Sequence, residues 1–148
     1  GTIGSNTGTE NVAIGNSVLM QNSSGTGNIG MGTNSLFYNS SGGTNIGIGY
    51  SSLFETTTGS SNVAVGFQAG RSNTTGSNNS SFGYAAGYIA TNYMTGSNNT
   101  FLGANSKSTD TAPVAGYSYM TAVGAGAVVV HSCLEEGSTL VGVPARRV

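Results

Sequence analysis

Charge is what this chain has least of. Lys and Arg number four and Asp and Glu five, 6% of 148 residues, where an ordinary soluble domain carries about 25%. With no positive field to attract phosphates, a basic nucleic-acid binder is excluded. So is a helical bundle, whose solvent-facing stripes need Lys and Glu. No run approaches the roughly 20 apolar residues of a membrane helix, so no membrane insertion is expected. Trp is absent and Cys occurs once, so no disulfide staples the chain and Cys133 is expected to be a free thiol. Enzyme chemistry lacks its parts. There is one histidine, and the acids Glu10, Glu55, Asp110, Glu135 and Glu136 are scattered. No glycine-rich phrase carries the lysine of a phosphate loop. The expectation is neither an enzyme nor a cofactor protein.

What fills the chain instead is Gly, Ser, Thr and Asn, 80 of the 148 residues. Alone, that composition reads as disorder, but it is ordered in sequence. Asn11-Val12-Ala13-Ile14-Gly15 recurs at Asn28, Asn45, Asn62 and Asn79, each time 17 residues on. Further copies ending in Gly103, Gly124 and Gly142 follow after 20, 21 and 18 residues. Thr2-Ile3-Gly4 resembles the end of an earlier copy. A fixed short period is the mark of a solenoid.

Each copy predicts one short strand, with Val12 and Ile14 on one face and Asn11 and Ala13 on the other. A Ser/Ala-Leu segment and a Gly-containing turn complete the 17 residues. Two short extended arms and two turns make one coil of an all-β parallel solenoid, with coils about 4.8 Å apart. Stacking makes columns. Asn11, Asn28, Asn45, Asn62, Asn79 and Asn99 should form a hydrogen-bonded ladder, and the Gly closing each strand should take positive φ. Counting by 17 aligns Met20, Phe37, Phe54, Arg71 and Tyr88, which predicts Arg71 stacked on Phe54 or Tyr88. Tyr50, Phe67 and Tyr84 fall in another column. The small central residues (Ala13, Gly30, Gly47, Ala64, Ser81) are expected to let another surface approach. With only three or four apolar side chains per coil, the thin core argues for a homotrimer.

The phrases Gly59-Ser60-Ser61-Asn62-Val63-Ala64-Val65-Gly66-Phe67-Gln68-Ala69-Gly70 and Gly96-Ser97-Asn98-Asn99-Thr100-Phe101-Leu102-Gly103 resemble two related groups. These are the heads of trimeric autotransporter adhesins and the β-helical repeats of phage and giant-virus tail or surface fibres. The likeness covers about residues 1–125. From Val123 to Arg146 the chain is similar to the last coil of hexapeptide-repeat acyltransferases, whose catalytic histidine lies upstream among the coils. The lone His131 does not match that position. The expected organisation is a repeat region over 1–119 and C-terminal coils over 120–148.

The resemblance implies an extracellular or virion-borne fibre or adhesin segment. It would attach a virus or bacterium to a host-surface glycan or protein through multivalent, non-catalytic binding. The alternatives are a degenerate acyltransferase and an ice-binding solenoid, although Thr clusters too irregularly for an ice-binding array. Recognition is expected where the period breaks, because loops on a rigid scaffold are common binding elements. One such segment holds Tyr88, Tyr93 and Met94; the other holds Lys107, Asp110, Tyr117 and Tyr119. His131 and Cys133, two apart, are weak candidate metal ligands. Sequons occur at Asn22, Asn39, Asn73, Asn78, Asn79 and Asn98, three of them in one repeat column.

Overall fold

The computed structural model describes residues 7–90, 93–109 and 118–130. Asp110, Tyr117, His131 and Cys133 lie outside them. The chain winds as a parallel β-solenoid. Its three-residue strands are β1 (Val12–Ile14), β2 (Ile29–Met31), β3 (Ile46–Ile48), β4 (Val63–Val65), β5 (Ser80–Phe82), β6 (Thr100–Leu102), β7 (Lys107–Thr109), β8 (Thr121–Val123) and β9 (Val128–Val130). Seven form one sheet in the order β1-β2-β3-β4-β5-β6-β8. Its register is continuous: Val12 pairs with Ile29, Ile29 with Ile46, and so on to Thr100 with Thr121. The sheet therefore runs on across residue 120.

The second arm differs from expectation. It is a strand only in the last two described coils, where β7 pairs with β9. In earlier coils it is a string of tight turns. Ser35 N–H donates to Gly32 O at 3.1 Å and Asn39 N–H to Leu36 O at 3.2 Å. Asn34 and Leu36 sit at φ 60° and 51°, and Ser51 and Leu53 at 52° and 48°. Left-handed leucines are costly in isolation. Here bonds to the next coil hold them, with Leu19 N–H on Ser35 O at 3.1 Å and Leu36 N–H on Ser52 O at 3.0 Å.

The facing of the strands also corrects the sequence reading. From the second coil on, the small central residues point inward: Ala64 is fully buried and Ser81 nearly so. A Cβ on Gly30 would strike Val18 Cγ1, and one on Gly47 would lie 2.6 Å from Ser35 Oγ and 3.3 Å from Leu36 Cγ. These residues are small to admit the other arm of their own solenoid, not another chain. Alternation then sends the apolar residues outward, with Ile14 53% and Val123 62% exposed. The core consists of Leu19, Leu36, Leu53, Ala64 and Ala69, continued by Ala86, Met94, Phe101, Met120 and Ala122. The leucine column gives way to Gly70 and then Gly87, and at Gly87 Phe101 fills the space.

The asparagine ladder lies beside this core. Each Asn Oδ1 accepts the backbone N–H of the equivalent residue in the next coil at 2.9 Å, from Asn11–Asn28 through Asn99–Met120. From Asn11 to Asn79, Nδ2 donates to the Gly carbonyl that ends its own coil, at 2.8–2.9 Å. A second buried column holds Asn22, Asn39, Thr56 and Asn73. Its three asparagines donate to Gly25, Gly42 and Gly76 carbonyls. The sequons at Asn22, Asn39, Asn73 and Asn79 are thus structural and closed to glycosylation in the folded chain; Asn78 and Asn98 are exposed. At Thr56 the second ladder is interrupted. The Thr56 hydroxyl donates to Asn73 O, and the buried Asn39 Oδ1 is left without a partner.

One urea-unfolding series tests both ladders. Asn45→Ala removes bonds to Gly59 O, Asn62 N and Asn62 Nδ2 and should lower stability by about 3 kcal/mol. Thr56→Asn, which continues the second ladder, should raise it by roughly 1 kcal/mol. A neutral Asn45→Ala would contradict the ladder's role.

Candidate functional site

The 17-residue period places Phe37, Phe54, Arg71 and Tyr88 one above another along the second arm. Phe37 and Phe54 stack at 5.3 Å between centroids with planes 29° apart. The Arg71 guanidinium continues the stack, its Cζ 5.3 Å from both the Phe54 and the Tyr88 centroid. Each such cation–π contact contributes about 0.5–1 kcal/mol when part-exposed. Arg71 Nη1 donates to Tyr88 Oη at 3.0 Å, and Nη2 lies 4.0 Å from Glu55 Oε1. Burial pushes the Glu55 carboxyl above its ordinary range, and the Arg71 charge pulls the other way without cancelling it.

Tyr38 and Glu55 are themselves one period apart, in the column beside Phe37 and Phe54. The Tyr38 ring stands across the stack, 4.8 Å from Phe37 at 72° and 5.1 Å from Phe54 at 80°, and is 39% exposed. At this corner of the rod Glu55 lies beside the Arg71 guanidinium, and Tyr38 packs against Phe54, the ring on which Arg71 stacks. The only other charged side chains among the described residues are Glu10 and Lys107. The corner holds hydrogen-bond donors and a carboxylate acceptor. Among the described residues no group of three or more His, Cys, Asp or Glu is placed to hold a metal.

The first break in the period emerges beside this corner. Ser72, which follows Arg71, holds both ends of it: its Oγ accepts Ile89 N–H at 2.9 Å and its carbonyl accepts Met94 N–H at 2.8 Å. Tyr93 is 61% exposed, as a loop contact requires. Met94, expected in the loop, is instead buried with Phe101 and Met120, because its backbone re-enters the ladder opposite Asn73. Lys107 is likewise no loop residue; it opens β7 opposite Val128, with an exposed side chain. Tyr88 is half-buried under Arg71, while Tyr119 is exposed and rejoins the stack through its N–H to Ser97 O at 3.1 Å.

Tyr50, Phe67 and Tyr84 form the second aromatic column, on the sheet side. Their centroids are 5.2 Å apart and their planes 5–11° from parallel. Sequence reasoning missed Glu55 as a partner of Arg71 and Tyr38 as a partner of Phe54, although the same count by 17 aligns them. No protein-family model, curated protein or solved structure matches the chain.

The raised Glu55 pKa makes a signed prediction. The folded chain binds that proton more readily than the unfolded chain, so stability should fall as pH rises from the ordinary carboxylate range through the raised value. Glu55→Gln, a mimic of the protonated form, should melt at or above the wild type at pH 7, and the difference should vanish near pH 4. Melting by circular dichroism at the two pH values checks it. A Glu55→Gln protein several degrees less stable at pH 7 would show that the Arg71 pair outweighs burial.

Proposed function

We propose that this chain is a segment of a homotrimeric fibre or adhesin, displayed on a virion or cell surface, that attaches a virus or bacterium to its host without catalysis. The outward apolar face carries the reading. Ile14, Met31, Ile48, Val65, Phe82, Leu102 and Val123 make one column along the whole sheet, with Val12, Ile29, Ile46 and Val63 beside it. Seven strands at about 4.8 Å make a strip of roughly 30 Å. Continuous apolar strips on that scale mark interaction surfaces. Copies running parallel and in register would set like columns against like. The strip is flanked on one side by the Val12–Val63 column and on the other by Tyr50, Phe67 and Tyr84, so each rod offers two edges to two neighbours. That arrangement favours closed three-fold symmetry over a pair.

The rest of the chain suits such a shaft. Its cohesion is hydrogen-bonded and nearly uncharged, so salt has little to screen. Three chains present each recognition element three times, and avidity then multiplies weak contacts by about 10²–10⁴. The period-breaking segments bearing Tyr93 and Tyr119 supply exposed aromatic contacts. The similarity to adhesin heads and viral fibre repeats agrees with this reading.

Light scattering after size exclusion should give three times the 14.7 kDa chain mass. Ile48→Asp combined with Val65→Asp should dissociate the assembly. A wild-type chain that stays monomeric at micromolar concentration would overturn the trimer.

A further inference from the structure

We infer that the corner formed by Tyr38, Glu55 and Arg71 is a binding site for a neutral saccharide, an inference that rests on the attachment reading and names its ligand class. Elsewhere the described coils are held by Asn, Ser, Thr and backbone groups. Here alone among the described residues is a cation stacked with a carboxylate beside it. The charged pair within the cluster is a poor stabilising device. A 4.0 Å, part-exposed ion pair contributes little, the Glu55 carboxylate is partly desolvated, and Arg71 Nε is buried without a partner.

Its geometry suits recognition better. Phe54 and Tyr88 clamp the guanidinium on both faces and Tyr88 Oη takes one Nη1 hydrogen, so the direction of the remaining Nη hydrogens is set before any ligand arrives. Glu55 supplies an acceptor next to those donors. Neighbouring hydroxyls of a sugar match that pair, one donating to the carboxylate and the other accepting from the guanidinium. Tyr38, packed across the Phe37–Phe54 stack, adds a rigid aromatic ring against Phe54, the ring on which Arg71 lies. The negative face of such a ring attracts the weakly positive C–H face of a pyranose, and a tyrosine loses little conformational freedom on binding. Ligand charge is decided by Glu55. It neutralises Arg71 and repels a carboxylate or sulfate, so the site selects neutral sugars over acidic ones.

The test applies the intact chain to a printed array of neutral, sialylated and sulfated oligosaccharides, then titrates the best neutral hit against variants. Wild type should be retained by neutral saccharides. Tyr38→Leu, which removes the ring but keeps apolar bulk, and Glu55→Gln should each weaken binding at least tenfold, with assembly mass unchanged and, for Glu55→Gln, melting at pH 7 not lowered. Retention by acidic glycans alone would overturn the inference. So would neutral binding that both variants leave intact but Tyr93→Ala abolishes; attachment would then stand with its site in the loop. Protease-sensitive adhesion to host cells with no array signal would reject a saccharide and leave attachment in place. Neither array signal nor adhesion would remove both.

Discussion

The first side chain of each regular coil performs two tasks at once. Its Nδ2 closes its own coil on a Gly carbonyl, and its Oδ1 receives the backbone N–H of the next coil. Asp would lose the donor, Ser the reach, and Gln would add a rotor to freeze. From that carboxamide follow the other invariants of the repeat. The Gly that accepts from it cannot carry a Cβ: one on Gly42 would strike Gly59 O and lie 2.5 Å from Asn39 Oδ1. The Gly after each strand sits at φ between 112° and 137°, where the chain turns and the next coil lies directly against it. A chain held this way needs neither charge nor a deep core.

The same closeness produces the rod's outer chemistry. The coil is so flat that the strand's inward position and the turn-rich arm compete for one layer of space. The strand yields where leucine occupies the arm, as at Gly47 against Leu36, and the arm yields where Phe101 occupies the strand, as at Gly87. The branched side chains on either side of the inward residue have nowhere to go but out. An apolar outer strip is therefore a consequence of a narrow interior, and it is the surface that the proposed trimer would bury.

The 17-residue step made the register legible. Columns counted on the sequence put Arg71 between Phe54 and Tyr88, and the structure has it there. The facing of the strands was not legible, because Val12-Ala13-Ile14 alternates equally well with either face inward, and only the volume of the opposite arm decides. Nor was the turn string at Leu36 and Leu53, since leucine carries no signal for positive φ; the neighbouring coils impose it. Met94 looked like a loop residue because the insertion was counted as one block, whereas Ser72 pins its return at Met94. Tyr38 and Glu55 were in the sequence, one period apart, but their role depends on which way two neighbouring columns lean at a corner.

A pair of engineered cysteines tests the stacking most directly. Thr44 and Ser61 are exposed, 17 residues apart, and their hydroxyls lie 3.0 Å from one another. In a Cys133→Ser background, Thr44→Cys with Ser61→Cys should form an intrachain disulfide on mild oxidation, because parallel in-register neighbours fall within the Cα separation a disulfide spans. Thr44→Cys with Thr58→Cys, out of register, should stay reduced. Equal oxidation of the two pairs, or none in the first, would contradict the 17-residue coil.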